Sequence, residues 1–147
     1  MFELISNSEE ETKQIGRKIA SKLKKGDIVV LSGDLGSGKT KFTEGVLSYF
    51  NKQDEISSPT FTIVNEYETE KDMIYHFDVY RLDDIDEFYA IGGEEYFDKG
   101  ICLIEWGEMI EEILPKSYLK IKFERNFENE TTRKMIFEEY GDFKISI

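Results

Sequence analysis

Asp27-Ile-Val-Val-Leu-Ser-Gly33-Asp-Leu-Gly-Ser-Gly-Lys-Thr40 is the stretch that decides the fold. Its first six residues form a short apolar, β-rich run typical of a strand buried on both faces. The rest matches G-x-x-x-x-G-K-[ST] at every fixed position, through Gly33, Asp34, Leu35, Gly36, Ser37, Gly38, Lys39 and Thr40. Glycines at this spacing let the backbone wrap a phosphate with successive N–H groups pointing inward. Lys39 to Phe50 reads as a helix, whose positive dipole end adds to the attraction. Lys39 is expected to reach the β- and γ-phosphates and the Thr40 hydroxyl to ligate Mg2+. A strand before the loop and a helix after it separate a P-loop from a glycine-rich turn with an incidental lysine.

Upstream, Ser8 and Glu11 have capping-box spacing, and Ile15, Ile19 and Leu23 recur every four residues as a core-facing stripe. Lys13, Arg17, Lys18, Lys22 and Lys24 project elsewhere, as a solvated face. Downstream, Phe61 to Glu68 and Met73 to Tyr80 read as a hairpin, and 83 to 97 as short acidic helices around Gly92-Gly93. Gly100 to Trp106 is a second buried strand, Glu108 to Leu114 a helix stopped by Pro115, and Tyr118 to Glu124 with Arg133 to Tyr140 a closing antiparallel pair. The expected fold is an α/β P-loop NTPase three-layer sandwich, one domain over 1–147. Its sheet is mixed, parallel at the centre with antiparallel additions.

Acidic residues number 31 against 19 Lys and Arg, for a net charge of −12. Nucleic acid is bound largely by neutralising phosphates, so a chain this acidic is a poor stand-alone binder of it, and suits a basic protein partner. Cys102 is the only cysteine, which rules out an internal disulfide and a thiolate zinc cage. No apolar run is long enough for a membrane helix, and acids occupy the N-terminal stretch where an export signal carries bases. A cytoplasmic setting is expected, with no membrane partner.

Ile101-Cys-Leu-Ile104 ends in Glu105, at the position where P-loop proteins commonly hold the metal with an acid. Glu105 is read as acting directly or through a water, or as a surface acid at a strand end. Trp106 is either a shield over the site or a core residue. In strict alternation His76, Asp78 and Tyr80 share one strand face, which suggests a site wall. Asp78 is then a candidate to position the attacking water or support the metal, with pairing to Arg81 as the alternative. Thr60 or Thr62, in Ser57-Ser-Pro-Thr-Phe-Thr62, could act as a switch-like hydroxyl toward the γ-phosphate. Asn51-Lys-Gln-Asp54 mimics a guanine-reading motif but lies at the end of the P-loop helix, and no D-x-x-G occurs in the chain. ATP, with ADP as product, is favoured over GTP.

Taken together, Gly33 to Thr40, Ser58-Pro-Thr-Phe-Thr-Ile-Val-Asn-Glu-Tyr67, His76-Phe-Asp-Val-Tyr-Arg81 and Ile104-Glu-Trp106 resemble the TsaE (YjeE) family of bacterial P-loop ATPases. The resemblance implies a role in the threonylcarbamoyl modification of tRNA adenosine 37, as ATPase partner to a TsaB–TsaD pair that performs the transfer and holds the tRNA. It implies that Lys39 and Thr40 hold phosphate and magnesium, Glu105 ligates the metal and Asp78 supports hydrolysis. It also implies that Thr12 and Arg133 approach the nucleotide. Lys41, in the nucleotide-binding segment, stands where many relatives carry Thr. The run Asp83, Asp84, Asp86, Glu87, Glu94, Glu95 and Asp98 is read as a solvated surface or a docking face for those partners. A small-molecule kinase is the rival enzyme class, disfavoured by only four scattered arginines, Arg17, Arg81, Arg125 and Arg133. A nucleotide-dependent binding module is the rival from outside enzymes.

Overall fold

A computed structural model of the chain describes residues 1–33, 38–55, 64–79, 84–126, 128–129 and 131–146. Among these, the strands are β1 (Phe2–Ser6), β2 (Ile28–Ser32), β3 (Val64–Glu68), β4 (Met73–Asp78), β5 (Ile101–Glu105), β6 (Tyr118–Arg125) and β7 (Arg133–Tyr140). They join into one sheet in the order β1-β7-β6-β2-β5-β4-β3. The neighbours β6–β2, β2–β5 and β5–β4 are parallel, whereas β1–β7, β7–β6 and β4–β3 are antiparallel. The sheet is therefore α/β, parallel at its centre with antiparallel additions, as the order of apolar runs predicts.

Helices α1 (Glu9–Ala20) and α2 (Lys39–Tyr49) cover one face. Ile19, Phe42, Val46 and Leu47 are buried there over Val29, Leu31, Leu103 and Ile121. The other face carries α3 (Ile85–Ala90) and the 3-10 turns Gly93–Tyr96 and Gly107–Ile113, with Phe88, Phe97 and Ile110 over Ile28, Val30, Phe77 and Ile104. Each fully buried aliphatic or aromatic side chain of this kind contributes about 1.5–3 kcal/mol before entropy is charged.

The two large helices touch backbone to backbone. A Cβ added to Gly16 would lie 2.4 Å from the Phe42 carbonyl oxygen, and one on Gly45 2.1 Å from that of Lys13. Only glycine fits at that crossing, which carries the first turns of both helices to the same edge of the sheet.

Four local expectations need correction. Strand β1 is not foreseen by the sequence reading, because its apolar inward residues, Phe2 and Leu4, are separated by Glu3 and run straight into an acidic helix start. The Phe2 ring stacks on Phe137 at 4.7 Å between centroids. Helix α1 ends at Ala20, so Leu23 is buried from a turn beyond it. The Ser8 hydroxyl caps the Glu11 N–H at 3.1 Å, but the Glu11 carboxylate accepts from the N–H of Asn7 rather than that of Ser8. The helix expected before Pro115 is a 3-10 segment, kinked at Ile110.

Candidate functional site

Strands β6, β2, β5 and β4 run the same way and end along one edge, where open α/β sheets collect ligands. At that edge β2 delivers Gly33, and β5 and β4 deliver Glu105 and Asp78, which are register partners. Ile74 and Leu103 point toward α1 and α2, so His76, Asp78 and Glu105, an even number of residues further on, share that side. Phe77 and Val79 fall in the opposite cluster, as alternation requires. Tyr80 and Arg81 lie outside the described residues, and so do Asp34, Leu35, Gly36, Ser37, Thr60, Thr62 and Asp83.

Lys39 opens α2 with its side chain folded inward, only 5% exposed. Its Nζ donates to the Gly33 carbonyl at 2.6 Å and sits 4.3 Å from the centroid of the Trp106 ring. The indole face attracts a cation, so Trp106 forms a wall of the site as well as packing on the opposite core. Its backbone is in the left-handed region at φ 63°, which costs a bulky residue about 1 kcal/mol or more. The Trp106 N–H donates to Leu31 at 3.0 Å, and Gly107 packs so closely on Val30 that a Cβ would lie 2.6 Å from it. The turn after Glu105 is thereby pinned to β2.

The start of α2 differs from those of α1 and α3. Ser8 and Asp84 cap those two, and acids fill their first turns. The N-cap of α2 is Gly38, at φ 111°, with no side-chain cap and no acid in the first turn. Thr40 is exposed there. Lys41 leans toward α1, 3.4 Å from Glu44 and 3.9 Å from Glu9. Such a helix start can take an anion. A Cβ built on Gly38 would stand 3.5 Å from Arg133 Cγ, 3.7 Å from the Phe123 ring and 3.8 Å from Thr12 Cγ2. Thr12 and Arg133, far apart in sequence, thus meet at the last glycine of the motif.

Ser6 was not singled out by sequence reasoning. It is fully buried, and its hydroxyl lies 2.6 Å from that of Thr12. The available signal was a polar residue closing the Phe2-Leu4 apolar alternation. His76 is buried, with Nε2 at 2.7 Å from Glu105 Oε2.

Among the described residues, no three His, Cys, Asp or Glu side chains converge into a metal cage. Magnesium needs none, because it binds through one or two carboxylates plus phosphate oxygens and keeps several waters. Glu105 and Asp78, register partners at the strand ends, and the Thr40 hydroxyl at the start of α2 are oxygen donors of the type such an ion takes.

Three other features fall away. Asn51 takes the left-handed position closing α2, φ 61°, with Lys52 N–H on the Leu47 carbonyl at 2.8 Å and Asn51 N–H on that of Ser48 at 3.1 Å. This is a Schellman cap, so the guanine-like Asn51-Lys-Gln-Asp54 is explained by helix termination. A cleft of about 580 Å³ lies at the same far end of α2, lined by Tyr49 to Lys52 and Glu68 to Lys71. Its lysines and glutamates balance, and Lys71 is engaged with Tyr49 at 2.9 Å. Cys102 is buried, and desolvation, aided by Asp98, pushes its thiol up to about 12, so it is no nucleophile at neutral pH.

A buried strand, a glycine-rich motif opening a helix, and acids at the ends of parallel strands define a P-loop-type α/β protein. The family model "Threonylcarbamoyl adenosine biosynthesis protein TsaE" matches residues 6–135. Two proteins named tRNA threonylcarbamoyladenosine biosynthesis protein TsaE align closely. That of Rickettsia felis is 42% identical over 127 residues, covering 86% of this chain and 74% of its own. That of Bacillus subtilis is 42% identical over 134 residues, covering 90% and 82%. The crystal structure of Bacillus subtilis YdiB superposes with a TM-score of 0.75 at 35% identity, covering 96% of this chain and 86% of that one. The chain belongs to the TsaE family.

Proposed function

We propose that this chain is the ATP-binding, slowly hydrolysing subunit of a complex that places threonylcarbamoyl on tRNA adenosine 37, acting beside TsaB–TsaD-type partners in the cytoplasm. The observation that carries the reading is the inward-folded Lys39, held by the Gly33 carbonyl and the Trp106 ring at an acid-free helix start. An ammonium kept there already faces the place where phosphate would enter, so little reorganisation is needed on binding.

In this reading the backbone around Gly38 and the first turn of α2 hold the phosphates. Lys39 exchanges the Gly33 carbonyl for phosphate oxygens. Thr40 and Glu105 would hold Mg2+, which neutralises phosphate charge when bound. Asp78, beside Glu105 in the next strand, orients the attacking water, and Thr12 and Arg133 bound the site on the β1–β7 side. The net charge of −12 supports a tRNA held by the partners rather than here. Asp84, Asp86, Glu87, Glu94 and Glu95 then suit a basic surface of the partner complex, with Tyr89 and Ile91 exposed among them at 46% and 41%.

The test is ATP hydrolysis by the purified chain alone and with partners. Slow turnover, raised by the partners and lost in Lys39→Ala and Glu105→Ala, is the expected result. Partner-independent turnover at kinase rates, or a phosphorylated small molecule, would overturn it. Full modification by a hydrolysis-dead variant would instead favour a binding module that uses ATP only to set its conformation.

A further inference from the structure

His76 is the one histidine of the chain, and it lies 3% exposed beneath the strand edge. A polar ring buried in a sheet is costly unless its nitrogens are used. One is used, since Nε2 lies 2.7 Å from Glu105 Oε2. The other, Nδ1, is buried without a hydrogen-bond partner among the described residues. A proton on Nδ1 would be a buried donor with nothing to meet, so the hydrogen-bond balance assigns the ring proton to Nε2. The ring then donates to the carboxylate.

The strand register fixes this contact. His76 pairs with Leu103, one alternation before the Asp78–Glu105 pair, so its ring stands under the Glu105 side chain on the same face. With Oε2 held from below, the rotamer of Glu105 is set and Oε1 stays outside this hydrogen bond. Carboxylates that serve a metal are commonly oriented by such a partner, whose loss costs about 10–100-fold in metal affinity.

We propose that His76 is a positioning residue for Glu105, aiming one carboxylate oxygen toward the Mg2+ that Glu105 would hold. The inference rests on the ATP–Mg2+ reading above. Its test is the gain in affinity for a non-hydrolysable ATP analogue between EDTA and Mg2+, followed by calorimetry on the purified chain. Two amide substitutions place their N–H differently: His76→Gln puts it where Nε2 was, His76→Asn where Nδ1 was. The expected result is that His76→Gln keeps the Mg2+-dependent gain, while His76→Asn loses about tenfold or more of it with its EDTA affinity intact. An Asn variant that keeps the gain, or a Gln variant that loses it, overturns the assignment. Absence of any gain in the wild type would remove the ATP–Mg2+ reading as well, which separates the two failures. A measurement on the unaltered protein decides independently of how the variants fold. The single imidazole should show, by long-range 1H–15N NMR, a slowly exchanging proton on Nε2 and a bare Nδ1. The opposite tautomer would overturn the proposal.

Discussion

The two faces of the sheet are both buried but built from different chemistry. Of the six buried polar or charged side chains among the described residues, Ser6, Thr12, Lys39, Thr43 and His76 lie beneath α1 and α2, and only Ser32, at the end of β2, follows Ile28 and Val30 onto the other side. Beneath α3 and the 3-10 turns lies an aromatic mosaic. Phe77 packs at 5.8 Å from Phe88 and 5.5 Å from Tyr96, Phe88 at 5.9 Å from Phe97, and Tyr118 stacks at 4.5 Å on Tyr140. Buried polar groups cost free energy unless satisfied, so their gathering on one face has a reason. The polar side chains cluster toward the edge where Gly33, Asp78 and Glu105 emerge. The lesson is a division of labour. One face carries the site and its supports, and the other supplies apolar burial that holds the strands in register.

The strongest way to break that division is to damage the aromatic face. Phe88 is fully buried, and Phe88→Ala removes a ring from contacts with Phe77 and Phe97. A loss of about 3–5 kcal/mol in unfolding free energy is expected from such a truncation. Measured by urea denaturation, that loss should leave nucleotide affinity of the folded fraction within about twofold of wild type, since effects at separated sites are nearly additive. A parallel loss of affinity would mean the faces are coupled through the sheet.

How much of this was legible beforehand follows the same division. Lys39, Asp78 and Glu105 could be read because each sits at a fixed offset from a strand whose apolar run is plain. The central strands were equally plain, since Val29, Leu31 and Leu103 leave no alternative to burial. Strand β1 could not be read, because an edge strand with Glu3 and an exposed Ile5 has little pattern. The meeting of Thr12, Arg133 and Gly38 was foreshadowed only by the family resemblance and not by any pattern in the residues themselves. It depends on the Gly16–Gly45 crossing and on β7 pairing with β1, neither of which leaves a local signature. The left-handed Trp106 is likewise set by the tertiary pinning of Gly107 on Val30, not by any propensity of tryptophan.

A smaller effect probes the aromatic face through protons. Burial holds the Cys102 thiol up to about 12 in the fold, whereas an unfolded thiol titrates near its ordinary value of about 8.5–9. Below the unfolded value both states carry the proton and the contribution to stability is complete. As pH rises above it, the unfolded state loses its proton first, so this contribution is lost progressively as pH climbs toward 12. Between pH 8 and pH 10 the loss should amount to about 1.4 kcal/mol. The check is the unfolding free energy of wild type and Cys102→Ala at both pH values, where the alanine variant should show a shallower fall by that amount. Tyr140, pushed up to about 12 by its hydrogen bond to Glu138 and by burial, acts in the same direction at higher pH and is present in both proteins.

The smallest effect sharpens the polar face, by asking which buried hydroxyls serve the fold and which the ligand. Thr12 Oγ1 lies 2.6 Å from Ser6 Oγ and 3.2 Å from the Ser8 carbonyl, which Ser6 Oγ also reaches at 2.8 Å. Two hydroxyls share one carbonyl, so removing one leaves the other still bonded. Thr12→Val should therefore cost only about 1 kcal/mol of stability, the net value of one hydrogen bond. The atom of Thr12 that faces Gly38 is the methyl carbon Cγ2, and valine retains it. Nucleotide affinity should then stay within about twofold of wild type, because a valine keeps the shape of that wall while losing only the brace between β1 and α1. An affinity loss approaching tenfold, about 1.4 kcal/mol, would place the hydroxyl itself in contact with nucleotide. It would then move Thr12 from the supports of the polar face to its ligand-binding edge.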